Sequence, residues 1–174
     1  MGALQGIRVL DLSRVLAGPW CGQVLADLGA EVIKIERPKV GDDTRMWGPP
    51  WMLDQQGKAT RESGYYKSAN RNKSSVAIDM ATQDGQRLLQ HMVKTADIVI
   101  ENFKAGSLKK YGLDEVLREV AKRQIPLLGI CLGLQLLFER SDETPGVEGL
   151  GILKGEILRI PDCPGLKIPH MGWN

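Results

Sequence analysis

Apolar and polar positions alternate in blocks that predict a regular succession of strands and helices. Short apolar runs predict five strands, at residues 7–12, 31–36, 75–80, 97–103 and 126–131. Apolar residues at helical spacing predict helices after the first, third and fifth strands, and a further helix at residues 113–123. A strand, a helix and a second strand in close succession form a right-handed unit with parallel strands. We therefore expect an α/β fold, with a Rossmann-like or flavodoxin-like parallel sheet and helices on both faces.

Two segments do not follow this alternation. Residues 38–64 are polar and contain several prolines, glycines and tryptophans, which predicts a long loop. Loops of such length are usually functional or mobile. Residues 150–153 and 156–160 are mostly apolar and flank Lys154 and Gly155, so they predict a C-terminal β-hairpin.

The composition narrows the functional classes. The chain has 174 residues, 43% of them hydrophobic, which suits one ordinary domain, or one domain and a fragment. The net charge is +2 with acids and bases interspersed, so nothing indicates a nucleic-acid partner. No apolar run approaches the roughly 20 residues of a membrane span, and no secretory pattern opens the chain. Three cysteines without metal-type spacing predict reduced thiols in a cytosolic protein with no metal site.

The segment around Cys131 carries the clearest local chemistry. The predicted fifth strand runs into Gly-Ile-Cys-Leu-Gly and then into a helical pattern, as in a nucleophile elbow. Glycines at 129 and 133 allow the backbone to pass close to itself, and a helix N-terminus favours a thiolate. The N–H of Leu132 is then a candidate oxyanion donor. This pattern favours acyl transfer through a thioester; the alternative is a buried, inert cysteine in a packing corner.

Residues 1 to about 115 resemble the opening of a family III CoA-transferase. The resemblance rests on five ordered segments, at residues 4–19, 29–36, 41–45, 70–74 and 96–103. It implies a Rossmann-like domain that binds coenzyme A or an acyl-CoA at the carboxyl ends of its strands, as a ligand rather than a tightly bound cofactor. The matching contact positions are Leu16, Ala17, Arg37, Ile78, Asp79, Met80, Ala81, Asn102, Phe103 and Lys110.

The residue chemistry is compatible with this implied site. Arg37 follows the second predicted strand, and a guanidinium suits the 3′-phosphate or diphosphate of coenzyme A. The alternative is that Arg37 and Lys110 are simple solvated charges. A nicotinamide nucleotide fits less well, because the first turn offers only Gly18 and Gly22 instead of G-x-G-x-x-G.

The same resemblance implies an incomplete transferase. The family uses an aspartate that attacks the acyl-CoA thioester and forms an acyl anhydride, which is covalent carboxylate catalysis. In the family this aspartate lies in a segment that we expect to begin soon after Leu117. Neither Asp114, Asp142 nor Asp162 stands in the matching motif. We therefore expect no transferase turnover from this chain.

Residues from about 116 to 174 resemble a different family, the glutaminase subunit of imidazole glycerol phosphate synthase. This subunit is a class I glutamine amidotransferase of histidine biosynthesis. The resemblance implies that Cys131 is the nucleophile, that the Leu132 N–H stabilises the oxyanion and that Gln135 helps hold glutamine. It also implies that the motif His170–Asn174 faces a synthase-like barrel. The family's catalytic histidine and glutamate have no counterpart here, so we expect no glutaminase turnover.

Three hypotheses follow from the two resemblances. The first is a chimera with parts 1–115 and 116–174 packed into one sheet, each without its complete active site. The second is an interaction protein that docks a synthase-like barrel through Trp173. The third is an enzyme fragment completed by another chain. A homodimer is a further assembly that the sequence leaves open.

Overall fold

The computed structural model describes residues 2–103, 105–110, 112–165 and 168. The chain divides into two compact units, Met1–Phe103 and Lys104–Asn174. None of the helices in the described ranges has the length and apolar character that a membrane crossing requires.

The first unit is built on a four-stranded parallel sheet. Its strands and helices are β1 (Arg8–Asp11), α1 (Ala17–Asp27), β2 (Glu31–Glu36), β3 (Trp51–Leu53), β4 (Ala59–Ser63), α2 (Gly64–Asn70), β5 (Lys73–Ala77), α3 (Gln83–Val93) and β6 (Ile98–Ile100). The order in the sheet is β5-β2-β1-β6, and every pairing in it is parallel. The predicted α/β fold with a parallel sheet flanked by helices is confirmed.

The core lies between the central strands and α1. Val9 of β1 pairs with Val32 of β2 on one side and Ile98 of β6 on the other. Val9 and Val32 pack with Ala26 and Ala30 in one buried cluster. Ala26 allows α1 to approach the sheet closely, because its side chain is short, and Ala30 lies in the connection to β2.

Glycines fix how α1 meets the strands. A Cβ at Gly22 would lie 2.8 Å from Oδ2 of Asp11 and 3.1 Å from Nζ of Lys73. The first of these distances is too short for any real side chain, so only glycine lets the helix pass this pair of charges. At the other end of α1, Gly29 adopts φ +101°, a conformation that ends the helix.

Residues 38–64 are more regular than the predicted long loop. They contain a 3₁₀ turn (Asp43–Met46) and an antiparallel hairpin of β3 and β4, and α2 begins at Gly64. The side chain of Ser63 caps α2 by accepting hydrogen bonds from the N–H groups of Tyr65 and Tyr66. The prediction of a loop was therefore wrong in this respect: the polar residues are caps and turn formers, which give no apolar periodicity.

The second unit contains short elements. They are α4 (Ala105–Lys110), α5 (Leu113–Lys122), α6 (Leu132–Leu137), β7 (Arg140–Ser141) and β8 (Glu156–Ile157). The helix predicted at residues 113–123 is confirmed as α5, which carries Asp114 and Glu115 in its first turn and Lys122 in its last. These charges stabilise the helix dipole.

The predicted fifth strand was wrong. Residues 125–130 have no regular secondary structure, and the four-stranded sheet gains no strand after Ile100 within the described residues. Leu128 is 86% exposed and Ile130 is 68% exposed. An apolar run becomes a strand only where a neighbouring strand satisfies its backbone groups, and no such neighbour is present among the described residues.

The predicted hairpin at residues 150–160 was also wrong. β8 pairs with β7, and the pairing is parallel. The N–H groups of Leu150 and Leu153 donate to the carbonyls of Leu136 and Leu137 at 2.8 Å each. These bonds satisfy the open carbonyls at the end of α6, so residues 150–153 serve as a cap for that helix and not as a strand.

Candidate functional site

The carboxyl ends of the parallel strands meet at one edge of the sheet. β1 ends at Asp11, β2 at Glu36, β5 at Ala77 and β6 at Ile100. Open parallel sheets bind ligands at this edge, in the segments that follow the strands. Most of the residues predicted to contact coenzyme A lie in these segments.

Two buried ion pairs lie beneath this edge. Nζ of Lys34 is 3.0 Å from Oδ2 of Asp42, and both side chains are fully buried. Nζ of Lys73 is 2.9 Å from Oδ2 of Asp11, again in the interior. Burial lowers the pKa of Lys73 more than the charge of Asp11 raises it. Buried charges are stable only when paired in this way.

Each of these lysines also donates a hydrogen bond to a main-chain carbonyl near the turn between β1 and α1. Lys34 donates to the carbonyl of Ser13 at 2.8 Å. Lys73 donates to the carbonyl of Pro19 at 2.6 Å and to Oδ1 of Asn70 at 3.0 Å. The two ammonium groups therefore fix the segment that connects β1 to α1.

Glu36 is the centre of a third buried cluster. Arg45 binds its carboxylate through Nε and Nη2, both at 2.7 Å. The Tyr66 hydroxyl donates at 2.8 Å and the Ser75 hydroxyl at 2.6 Å. The Asp42 N–H donates at 2.8 Å. Burial would raise the pKa of Glu36, but these hydrogen bonds outweigh it and lower that pKa to about 2.

Two members of this cluster, Arg45 and Tyr66, also contact each other. The Arg45 guanidinium lies 3.8 Å from the centre of the Tyr66 ring, a cation–π contact. Burial, followed by the contact with Glu36, raises the pKa of Tyr66. The Arg45 guanidinium therefore interacts with both Glu36 and Tyr66.

A cationic cleft opens beside this cluster. It has a volume of about 280 Å³ and is lined by Glu36, Arg37, Lys39, Val40, Gly41, Arg45, Ser75 and Ala77. Arg37 and Lys39 are exposed. The Arg37 guanidinium is oriented by Asp43 and by the carbonyl of Gly41. Arg45 neutralises Glu36 and Asp43 pairs with Arg37, so Lys39 leaves the cleft with a surplus of positive charge that suits an anion.

The predicted residues after β1 and β6 lie in connected segments. Leu16 is the N-cap residue of α1, and Ala17 is its first residue. Asn102 accepts a hydrogen bond from the N–H of Arg14 at 2.9 Å and donates to the Arg14 carbonyl at 2.7 Å. Phe103 is buried. The amide of Asn102 therefore ties the two segments together.

The predicted residues after β5 lie next to the end of β2. The Ile78 N–H donates to the carbonyl of Glu36 at 2.9 Å, which places residues 78–81 beside Arg37. Oδ1 of Asp79 accepts from the Ala81 N–H at 3.0 Å and closes the turn before α3. Met80 lies within that turn and is half-buried. Four of the five predicted segments, all except Lys110, thus follow the carboxyl ends of the parallel strands.

Comparison with known proteins identifies the family. The sequence profile of CoA-transferase family III matches residues 4–127. This chain belongs to CoA-transferase family III. The match extends past the boundary near residue 115 that the sequence predicts, and it includes α4 and α5.

The relatives of this family III chain include proteins named as CoA-transferases. It is 55% identical over 111 residues to the succinate–glutarate CoA-transferase of Agrobacterium fabrum, covering 64% of this chain and 28% of the relative. It is 47% identical over 113 residues to the succinyl-CoA:glutarate CoA-transferase of Mus musculus, covering 65% and 24%. The chain spans only about a quarter of the length of these curated relatives.

A solved structure has the same fold in its matching part. The crystal structure of a CAIB/BAIF family protein from Brucella suis is similar with a TM-score of 0.60 and 49% sequence identity. The similarity covers 68% of this family III chain and 31% of that chain.

The remaining predicted residues belong to the second unit. Lys110 is the last residue of α4, and its side chain lies outside the described part of the structure. Cys131 is exposed and precedes α6 with φ 54° and ψ −117°. The alternative of a buried cysteine is therefore wrong. The motif His170–Asn174 lies outside the described residues, and the roles of all these residues stay predictions.

Gln135 already has partners within the second unit. Its Nε2 donates to Oε2 of Glu143 at 2.6 Å, and its Oε1 accepts from the Ser141 hydroxyl at 3.2 Å. Leu132 is the first residue of α6. A Cβ at Gly129 would lie 2.8 Å from the carbonyl oxygen of Gly133, which is the close approach that the glycine spacing predicts.

Sequence reasoning missed the buried charges that shape the edge. Lys34 interrupts the apolar run Ile33 to Ile35, and its side chain points into the interior instead of to solvent. A lysine inside a run that should be buried on both faces was the available signal. Its partner Asp42 could not be identified from spacing, because the pair forms across a loop.

Proposed function

We propose that the first unit binds coenzyme A or an acyl-CoA along the carboxyl edge of its sheet. The observation that carries this proposal is the cationic cleft at the end of β2, where Arg37 and Lys39 stand beside Ser75 and Ala77 of β5. Coenzyme A carries phosphates that need such cations and a long neutral arm that can follow the edge. The family and the CoA-transferases among the relatives support the same ligand.

Arg37 is the proposed phosphate contact. Its guanidinium is held in place by Asp43, which also lies 3.5 Å from Nη1 of Arg14. Since Asp43 has two arginine partners, a phosphate can replace it at Arg37 and leave Asp43 paired with Arg14. Arginine binds a phosphate through two parallel hydrogen bonds, and a group oriented in advance loses little entropy on binding.

The first prediction concerns this arginine. We expect Arg37→Ala to weaken coenzyme A binding by about tenfold or more, because charged hydrogen bonds contribute about 1.5–3 kcal/mol each. Isothermal titration calorimetry of the folded chain measures the change. Titration with 3′-dephospho-coenzyme A then shows whether Arg37 contacts the 3′-phosphate or the diphosphate.

Arg71→Ala is the matched control for that titration. Arg71 pairs with Asp27 at the last residue of α1, which is the end of the helix remote from the carboxyl edge. The charge change is the same, so a general electrostatic effect would affect both variants equally. Equal losses would contradict a specific role of Arg37, and a folded wild-type chain without heat at millimolar coenzyme A would refute the binding itself.

We further propose that the residues after the family III match, 128–174, derive from a glutaminase nucleophile segment and are inactive. The backbone of Cys131 supports this proposal, since positive φ is uncommon for residues other than glycine and recurs where a nucleophile is held at a sharp turn. A cysteine nucleophile also needs a base. The sequence has only His91 and His170, and neither stands in the catalytic motif of that family.

The second prediction tests this inactivity. We expect the chain to release no more ammonia from glutamine than its Cys131→Ala variant does, because the thiol has no activating histidine. A coupled glutamate dehydrogenase assay measures ammonia. Release above the Cys131→Ala level would overturn the proposal and would make the chain a working glutaminase.

Transferase activity is proposed only for an assembly larger than this chain. A partner chain that supplied the family's aspartate could complete an acyl-CoA:carboxylate transferase on the first unit. The names of the relatives point to succinyl-CoA and a dicarboxylate such as glutarate as the substrates to test first. The barrel partner and the homodimer stay predictions from the sequence.

A further inference from the structure

The turn between β1 and α1 contains a strained residue. Val15 adopts φ +71°, in the left-handed region. A β-branched side chain is a clear outlier there because its Cβ crowds the backbone. Val15 directly precedes Leu16 and Ala17, which are proposed to approach coenzyme A. Such a conformation persists only where surrounding contacts hold it.

Asp42 supplies the contact that holds Val15. Both carboxylate oxygens of Asp42 lie 3.3 Å from the Val15 nitrogen, whose N–H they accept. Asp42 is itself fixed by the Thr44 N–H at 2.9 Å and the Thr44 hydroxyl at 2.8 Å. Its charge is balanced by Lys34 at 3.0 Å. The acceptor of the Val15 N–H is therefore ionised, buried and immobile.

Lys34 binds the beginning of the same turn. Its Nζ binds the Ser13 carbonyl at 2.8 Å while it pairs with Asp42. One buried ion pair thus fixes the turn at two points, the carbonyl of Ser13 and the N–H of Val15. The residue between them, Arg14, is held by the side chain of Asn102.

We propose that Lys34 and Asp42 are positioning residues for the coenzyme A site. They keep Val15 in the left-handed conformation and thereby set the direction in which Leu16 and Ala17 enter α1. Neither charge is exposed, so neither touches the ligand. The inference rests on the proposed binding of coenzyme A at this edge.

Three variants test this role, and they form the third prediction. We expect Asp42→Asn to weaken coenzyme A binding by about tenfold, because a neutral amide holds the N–H of Val15 less firmly. Val15→Gly alone should bind nearly as well as the wild type, since glycine adopts positive φ without strain. The double variant Asp42→Asn with Val15→Gly should bind more tightly than Asp42→Asn alone. Calorimetry on the folded proteins measures all three.

Val15→Ala provides the matched control for this rescue. Alanine shortens the side chain but keeps a Cβ, so it should not restore binding when combined with Asp42→Asn. If Asp42 contributed only to stability, the double variant Asp42→Asn with Val15→Gly would bind coenzyme A no more tightly than Asp42→Asn alone. That result, or equal rescue by alanine, would overturn the proposal.

Amide hydrogen exchange tests the hold on Val15 without any ligand. We expect the Val15 N–H to exchange at least tenfold faster in Asp42→Asn than in the wild type. Thr44→Val removes only one hydrogen bond to Asp42 and should produce a smaller acceleration, which gives a reading if Asp42→Asn does not fold. An unchanged exchange rate of the Val15 N–H would refute the positioning role. If the wild type binds no coenzyme A, the proposed function is refuted, but the exchange measurement still tests the hold on Val15.

Discussion

Replacing Lys73 with methionine is expected to lower the free energy of unfolding by about 3–5 kcal/mol, the usual effect of breaking a buried ion pair. Lys73 is 2% exposed and its partner Asp11 is fully buried. Its loss leaves the Asp11 carboxylate without a counter-charge in the interior. It also removes the hydrogen bonds from the lysine ammonium to the Pro19 carbonyl and to Oδ1 of Asn70. Small domains have only about 5–15 kcal/mol of total stability, so this variant is close to the limit of folding.

Urea denaturation followed by tryptophan fluorescence measures the change. Trp20, Trp47 and Trp51 belong to the first unit, so the signal reports mainly on the unit that contains Lys73. The midpoint should fall while the slope with urea stays similar.

Lys67→Met is the control for Lys73→Met. Lys67 pairs with Glu62 at 2.9 Å, but the two side chains are 47% and 49% exposed. Exposed pairs contribute about 0–1 kcal/mol, so this variant should unfold almost like the wild type. Asp11→Asn combined with Lys73→Met should recover part of the loss, because the isolated charge is then removed. Similar small effects of Lys67→Met and Lys73→Met would show that the buried pair contributes no more than a surface pair.

The sequence predicted the parts of the sheet that local pattern controls. β2 was predicted at its full length, because Val32, Ile33 and Ile35 are β-branched and the run ends at a charged turn. A strand also needs neighbouring strands, and the sheet provides them because β2 lies between β1 and β5. The run at residues 126–131 is also mostly apolar, yet it forms no strand. The difference lies in the neighbours, which a local pattern does not contain.

The candidate site was predictable only in outline. Arg37 could be selected because it follows a strand whose end faces a ligand edge in open parallel sheets. The role of Asp42 could not be predicted, because it depends on the ion pair with Lys34 in another element and on the conformation of Val15. Arg45 and Tyr66 likewise meet Glu36 across 9 and 30 residues of sequence. Buried polar networks are tertiary features, and propensity and spacing do not report them.

Acid should destabilise the first unit through Glu36, which is the last prediction. The pKa of Glu36 in the folded chain is about 2, compared with its ordinary value of 4.5. A carboxyl with a lowered pKa stabilises the fold fully above pH 4.5 and loses that stabilisation as the pH falls toward 2. The difference corresponds to about 3 kcal/mol, and the side chain is nearly inaccessible to solvent, so screening removes little of it.

The comparison of wild type with Glu36→Gln isolates this contribution from that of other carboxyls. Asp42 also has a lowered pKa, because its hydrogen bonds and Lys34 outweigh its burial, so the wild type alone would mix both effects. At pH 6 Glu36→Gln should be less stable, since Arg45 loses its partner. The two proteins should draw together as the pH falls toward 2 and converge below it, because Glu36 then becomes neutral in the folded chain as well as in the unfolded chain. A constant difference across this range would show that Glu36 titrates normally in the folded chain.

Tyr66→Phe gives an independent measure of the same carboxyl. The Tyr66 hydroxyl donates to Oε1 of Glu36 at 2.8 Å, so its removal takes one hydrogen bond from the charged form. The pKa of Glu36 should then rise, and the loss of stability in acid should begin at a higher pH than in the wild type. Because Arg45 and Ser75 still bind the carboxylate, the shift should be smaller than in a variant that lacks Arg45. An unchanged acid profile in Tyr66→Phe would mean that the Tyr66 hydroxyl does not contribute to the lowered pKa of Glu36.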